Sequence, residues 1–84
     1  MPKDIIKYQH NGTNIYVRNY WNKIQLLFDD VVVDTHKGII TFGDYSLRGK
    51  IGDDLIVASA TLNFAGETVK LSINSQVVTK AWKA

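Results

Sequence analysis

Lys23-Ile-Gln-Leu-Leu-Phe-Asp-Asp-Val-Val-Val-Asp-Thr-His36 decides the fold. Two apolar runs rich in β-branched residues flank a pair of aspartates, the pattern of two strands joined by a tight turn. With Asp29-Asp30 as a two-residue loop, Phe28 faces Val31, Leu27 faces Val32 and Leu26 faces Val33. Strand side chains alternate between faces. One face therefore carries Ile24, Leu26, Phe28, Val31, Val33 and Thr35, and the other Lys23, Gln25, Leu27, Val32, Asp34 and His36. The first face is core. The second is wet, with Leu27 and Val32 as an apolar pair at its centre.

The same hairpin recurs at an offset of 45 residues. Ile24 falls on Val69, Leu26 on Leu71 and Phe28 on Ile73, while Val32 and Val33 fall on Val77 and Val78. The turn Asp29-Asp30 falls on Asn74-Ser75, and upstream Val17 falls on Leu62. The chain thus reads as one β-domain, 1–84, holding a pseudo-repeat with units at about 15–37 and 60–82. Between them, Gly38 to Asp54 supplies a link and one cleanly alternating strand. In that strand Tyr45, Leu47 and Ile51 point one way, and Ser46, Arg48 and Lys50 the other.

Working outward, strands are expected near 5–10, 14–20, 23–28, 31–36, 45–51, 54–63, 68–73 and 76–82. No window holds a sustained 3.6-residue apolar period, so helix is essentially absent. The fold class is all-β: a small antiparallel β-sandwich of about eight short strands. A small closed β-barrel fits the same pattern. Leu27-Phe28-Asp29-Asp30, Leu47-Arg48-Gly49-Lys50 and Leu71-Ser72-Ile73-Asn74-Ser75 together resemble a β-sandwich domain of Fas apoptotic inhibitory molecule, over residues 24 to 82. The resemblance implies the sandwich and assigns no functional residue.

Composition narrows the function classes. Eighty-four residues without cysteine exclude a disulfide scaffold, a thiolate metal site and a cysteine nucleophile. Ten Lys and Arg against eight Asp and Glu leave a net charge of +2, and the basic residues are scattered along the chain without a run. Nucleic acid is therefore a partner that the charge permits without favouring it. No apolar h-region follows Met1, and the longest apolar stretches fall far short of a membrane span. A soluble cytoplasmic protein with no membrane partner is expected. Asn11-Gly-Thr13 matches a glycosylation acceptor but reads as a turn.

Chemistry-bearing residues are few. Asp29-Asp30 and Asp53-Asp54 occupy turn positions that aspartate tolerates well, and neither has the spacing of a calcium loop. Asp34 and His36 share a strand face as a possible two-ligand edge, but two histidines in the whole chain (His10 is the other) make surface roles the better reading. Gly43 to Lys50 has five residues between its glycines where a phosphate loop needs four. No catalytic residue, cofactor or metal site is assigned, and an enzyme is not expected.

Aromatic and apolar surface residues carry the rest. Tyr16, Arg18 and Tyr20 share one strand face with Trp21 beside them, and Ile15 and Val17 form the core side of that strand. This group is the candidate binding surface. Leu27, Val32 and Val77 form the candidate dimer patch. The leading reading is a non-enzymatic binding or assembly module acting as a homodimer, or on another protein, through one sheet face or through edge-strand pairing. The alternatives are single-stranded nucleic-acid binding through Tyr16, Arg18, Tyr20 and Lys23, or carbohydrate binding through Tyr20 and Trp21.

Overall fold

Tight turns set the architecture. Asn11 and Gly12 both lie at left-handed φ (48° and 79°), the geometry whose twist matches the flanking strands. In the turn at 52–53 Gly52 alone is left-handed (φ 61°), and Asp29 (54°), Asn74 (51°) and Ser75 (71°) hold left-handed φ without glycine. The computed structural model describes residues 3–37, 43–63 and 66–83. The stretch at 38–42, part of the expected link, and residues 64–65 lie outside the described residues. Eight strands follow one another: β1 (Lys3–His10), β2 (Thr13–Asn19), β3 (Lys23–Phe28), β4 (Val31–Lys37), β5 (Gly43–Ile51), β6 (Asp54–Asn63), β7 (Gly66–Ile73) and β8 (Gln76–Lys83).

They form two four-stranded antiparallel sheets in plain sequence order, β1-β2-β3-β4 and β5-β6-β7-β8. Contacts run from β4 to β5 and from β8 to β1, but neither junction carries a ladder, so the closed barrel is not formed. The result is a small sandwich. Its core interleaves Ile6, Ile15, Val17, Ile24 and Leu26 from one sheet with Leu47, Ile56, Ala58, Ala60, Val69 and Leu71 from the other. A fully buried side chain of this kind contributes roughly 1.5–3 kcal/mol.

The two sheets share their register devices. Ile15 pairs with Phe28, Val17 with Leu26 and Asn19 with Ile24; in the second sheet Ile56 pairs with Ile73, Ala58 with Leu71 and Ala60 with Val69. A bulge leaves Val33 unpaired between Leu26–Asp34 and Leu27–Val32, and another leaves Val78 unpaired between Leu71–Thr79 and Ser72–Val77. Asp29 and Asn74 each donate their N–H to a carbonyl on the neighbouring strand, Asn14 and Leu55 respectively. Each also accepts that residue's N–H on its side-chain oxygen at 3.0 Å. β3–β4 thus matches β7–β8 at an offset of 45, but β2 matches β6 at 41, so Val17 corresponds to Ala58 and not to Leu62. The reason is length: β6–β7 continues through Thr61–Thr68, Leu62–Glu67 and Asn63–Gly66, where β2–β3 has already turned.

The bulge at Val33 also corrects the expected faces of β4. Leu26 pairs with Asp34 rather than Val33. Beyond the bulge, Asp34 and His36 sit opposite the core residues Leu26 and Ile24, turned toward the junction with β5. Asp34 there accepts the Arg48 N–H at 2.9 Å, and the His36 ring stacks on Tyr45 at 4.3 Å. Val31, expected in the core, is 65% exposed instead.

Candidate functional site

Alternation along β2 buries Ile15 and Val17 completely and sends Tyr16 and Arg18 to the outer face of β1–β4. Arg18 faces Asp4 on β1, and its Nε donates to Asp4 Oδ1 at 2.7 Å while Nη2 reaches Oδ2 at 3.5 Å. This bond, larger than the opposing desolvation, raises the Arg18 pKa above its ordinary value. The guanidinium also sits 6.0 Å from the centre of the Tyr16 ring. Tyr20 lies just past the end of the strand, with Lys23 Nζ 4.6 Å from its ring centre. Trp21, in the turn, is 80% exposed. The four residues of the candidate surface therefore lie along one strand and its turn, with both cations already engaged.

The three residues of the candidate dimer patch are not brought together. Leu27 is only 2% exposed although it points away from the core cluster. It lies in a cross-strand row between Tyr16 and Val32, the row Lys7–Tyr16–Leu27–Val32. Val77 pairs with Ser72 on the outer face of the other sheet, so it looks away from Val32 on the opposite side of the sandwich. Beside the row, a shallow depression of about 220 Å³ is lined by Lys7, Tyr8, Gln9, Asn14 and Tyr16.

Two polar groupings escaped the sequence reading. His10 Nε2 meets Asp54 Oδ2 at 2.7 Å, and Asn74 Nδ2 donates to Asp54 Oδ1 at 2.8 Å. The His10 bond first, then the Asn74 bond, hold the Asp54 pKa below its ordinary value near 3.8. These groups come from β1, β6 and the β7–β8 turn, 44 and 20 residues apart, so no local spacing announces them. Glu67 is buried on the inner face of β7 and accepts the Tyr45 hydroxyl at 3.3 Å. Burial first, and then the charge of Glu67, push the Tyr45 hydroxyl pKa well up. The signal for Glu67 was in the sequence: it is in phase with Val69, Leu71 and Ile73.

Among the described residues no three His, Cys, Asp or Glu side chains are grouped as metal ligands, and no helix is long and apolar enough to cross a membrane. No family model matches the chain, and no curated protein or solved structure matches it.

Proposed function

We propose that the chain is a non-enzymatic assembly module of the cytoplasm, and that a second copy docks on the outer face of β1–β4. The observation that carries this reading is the apolar row Tyr16–Leu27–Val32, in which Leu27 is already covered within the monomer while Val32 stays 46% exposed across from half-buried Tyr16. Burying that row against its symmetry mate gives an isologous interface with an aromatic at its centre. Arg18 on this face is paired with Asp4, and the face also carries Lys7, Lys23 and Lys37. The Cα trace spans 35 × 25 Å across the broad side, enough for the roughly 800 Å² per partner of a standard interface.

Edge pairing is the weaker route. Bulges at Ile5, Val33 and Val78 interrupt three of the four edge strands, and the fourth, β5, presents Asp44, Arg48 and Lys50. Both devices blunt edge-to-edge association. The nucleic-acid reading of this face loses its main cation to Asp4.

Light scattering after size exclusion tests the proposal. Wild type is expected to run as a dimer at high micromolar concentration, Val32→Lys as a monomer with an unchanged circular dichroism spectrum, and Val77→Lys as a dimer. A monomeric wild type, or a Val32→Lys dimer, defeats it.

A further inference from the structure

Folding gathers basic residues that are scattered along the chain. On the outer face of β5–β8 the register sets three parallel rows: Asp44–Thr61–Thr68–Trp82, Ser46–Ser59–Lys70–Lys80 and Arg48–Val57–Ser72–Val77. Lys50 continues the face along β5 beside Leu55. Four cations, Arg48, Lys50, Lys70 and Lys80, are exposed there against one carboxylate, Asp44. The six other Lys and Arg of the chain are outnumbered by seven carboxylates. The outer face of β1–β4 carries a comparable set, Lys7, Arg18, Lys23 and Lys37 against Asp4, but there Arg18 is held by Asp4 and Lys23 by the Tyr20 ring.

Two direct lysine pairs are not explained by stability: Lys23–Lys37 at the end of β3–β4, where Lys23 lies against the Tyr20 ring, and Lys70–Lys80 in the middle of β7–β8. Lys70 and Lys80 are direct cross-strand partners in the antiparallel ladder. Their Cβ atoms are then about 4.5–5.5 Å apart, a spacing at which like charges destabilise a sheet. Among the described residues the ion pairs are His10–Asp54 and Arg18–Asp4, so neither lysine is relieved by a carboxylate. The cost is offset when a bound anion lies across the pair. Ser59 and Ser46 extend the same row with hydroxyl donors, and Trp82, 60% exposed, lies two residues along β8 from Lys80 on the same face.

We infer that the outer face of β5–β8 binds a single-stranded nucleic acid, with Lys70, Lys80, Arg48 and Lys50 on its phosphates and Trp82 stacking on a base. Cations tracking a backbone beside an aromatic platform are the chemistry such strands require. A double helix fits poorly, because its major groove admits a helix or a two-stranded ribbon and this face is four strands wide. A lipid surface fits poorly as well, since hydroxyls of Ser46, Ser59, Thr61, Thr68 and Ser72 occupy the positions that an inserting surface fills with apolar groups. The inference does not rest on the dimer; docking through β1–β4 leaves this face outward in both copies.

Fluorescence anisotropy of a labelled, mixed-sequence single-stranded oligonucleotide is the test. Binding is expected at about 50 mM salt, weakening with a log–log slope of roughly −2 to −3 for three or four phosphate contacts. Lys70→Glu is expected to weaken it about ten-fold while raising the melting temperature, because the new carboxylate faces Lys80. Trp82→Ala is expected to weaken it with an unchanged salt slope, and Arg18→Ala, on the opposite face, to leave it unaltered. Absent binding at low salt overturns the inference, as does equal loss in Arg18→Ala. Binding to phosphatidylserine vesicles without binding to the oligonucleotide also overturns it, and assigns the face to a membrane surface.

Discussion

At Gly49 the two sheets meet within a single side chain's width. A Cβ there would lie 2.9 Å from Cε2 and Cζ of Phe28 and 3.0 Å from Cγ2 of Val33. Its φ is not in the left-handed region, so the demand is for space and not for backbone freedom. Phe28 packs against the core and cannot swing away without opening it. Gly49→Ala is therefore expected to cost about 1–3 kcal/mol, in line with overpacking elsewhere. Thermal unfolding reads this as a fall of several degrees, and restoration by Phe28→Leu in the double variant identifies the clash. An unchanged melting temperature contradicts it. Other residue-scale choices were legible beforehand: alternation alone separated Ile15 and Val17 from Tyr16 and Arg18. His36 was not, because its stacking on Tyr45 depends on the bulge at Val33, three residues upstream on the same strand.

Strands and turns were easier to read than their irregularities. The order strand, turn, strand is written in β-branched runs and in Asn, Asp and Gly at the turns, and all eight strands lie close to the positions that pattern predicts. Bulges leave no such mark: Val31-Val32-Val33 is chemically uniform, and nothing local says which valine will drop out of the ladder. Contacts between elements distant in sequence were equally hidden, the clasp of β1, β6 and the β7–β8 turn through His10, Asp54 and Asn74 above all. That clasp fixes a pH response. The folded pKa of Asp54 is lowered, so its contribution is present above the ordinary carboxylate value and is lost as pH falls through the lower, folded one. In urea unfolding, wild type is expected to be the more stable at neutral pH and Asp54→Asn the less. The gap between them should close as pH falls through that lowered value. Two curves that stay parallel down to acid would show that the carboxylate is not held by its partners.

For the whole molecule, the sequence showed the class and a repeated hairpin but not how surfaces are partitioned. The sandwich turns the apolar row around Leu27 to one side and the cations Arg48, Lys50, Lys70 and Lys80 to the other. Val32 and Val77 look equivalent at an offset of 45, and they do occupy matching hairpin positions, yet the stacking of the two sheets makes them face opposite directions. Linear charge counting missed the basic face for the same reason: period-2 alternation on three strands, not adjacency in sequence, collects those side chains. A molecule this small exposes 5392 Å² and would gain stability from the proposed association, which gives the apolar face a physical motive as well as a shape.

The most direct measurement of the assembly claim is a dilution series followed by two-dimensional amide spectra of the wild-type chain. Shifts that move together with concentration at Lys7, Tyr16, Leu27 and Val32, while Ser59, Lys70 and Val77 stay still, are the result expected of docking through β1–β4. Spectra that do not change from micromolar to millimolar, with monomer line widths throughout, contradict it.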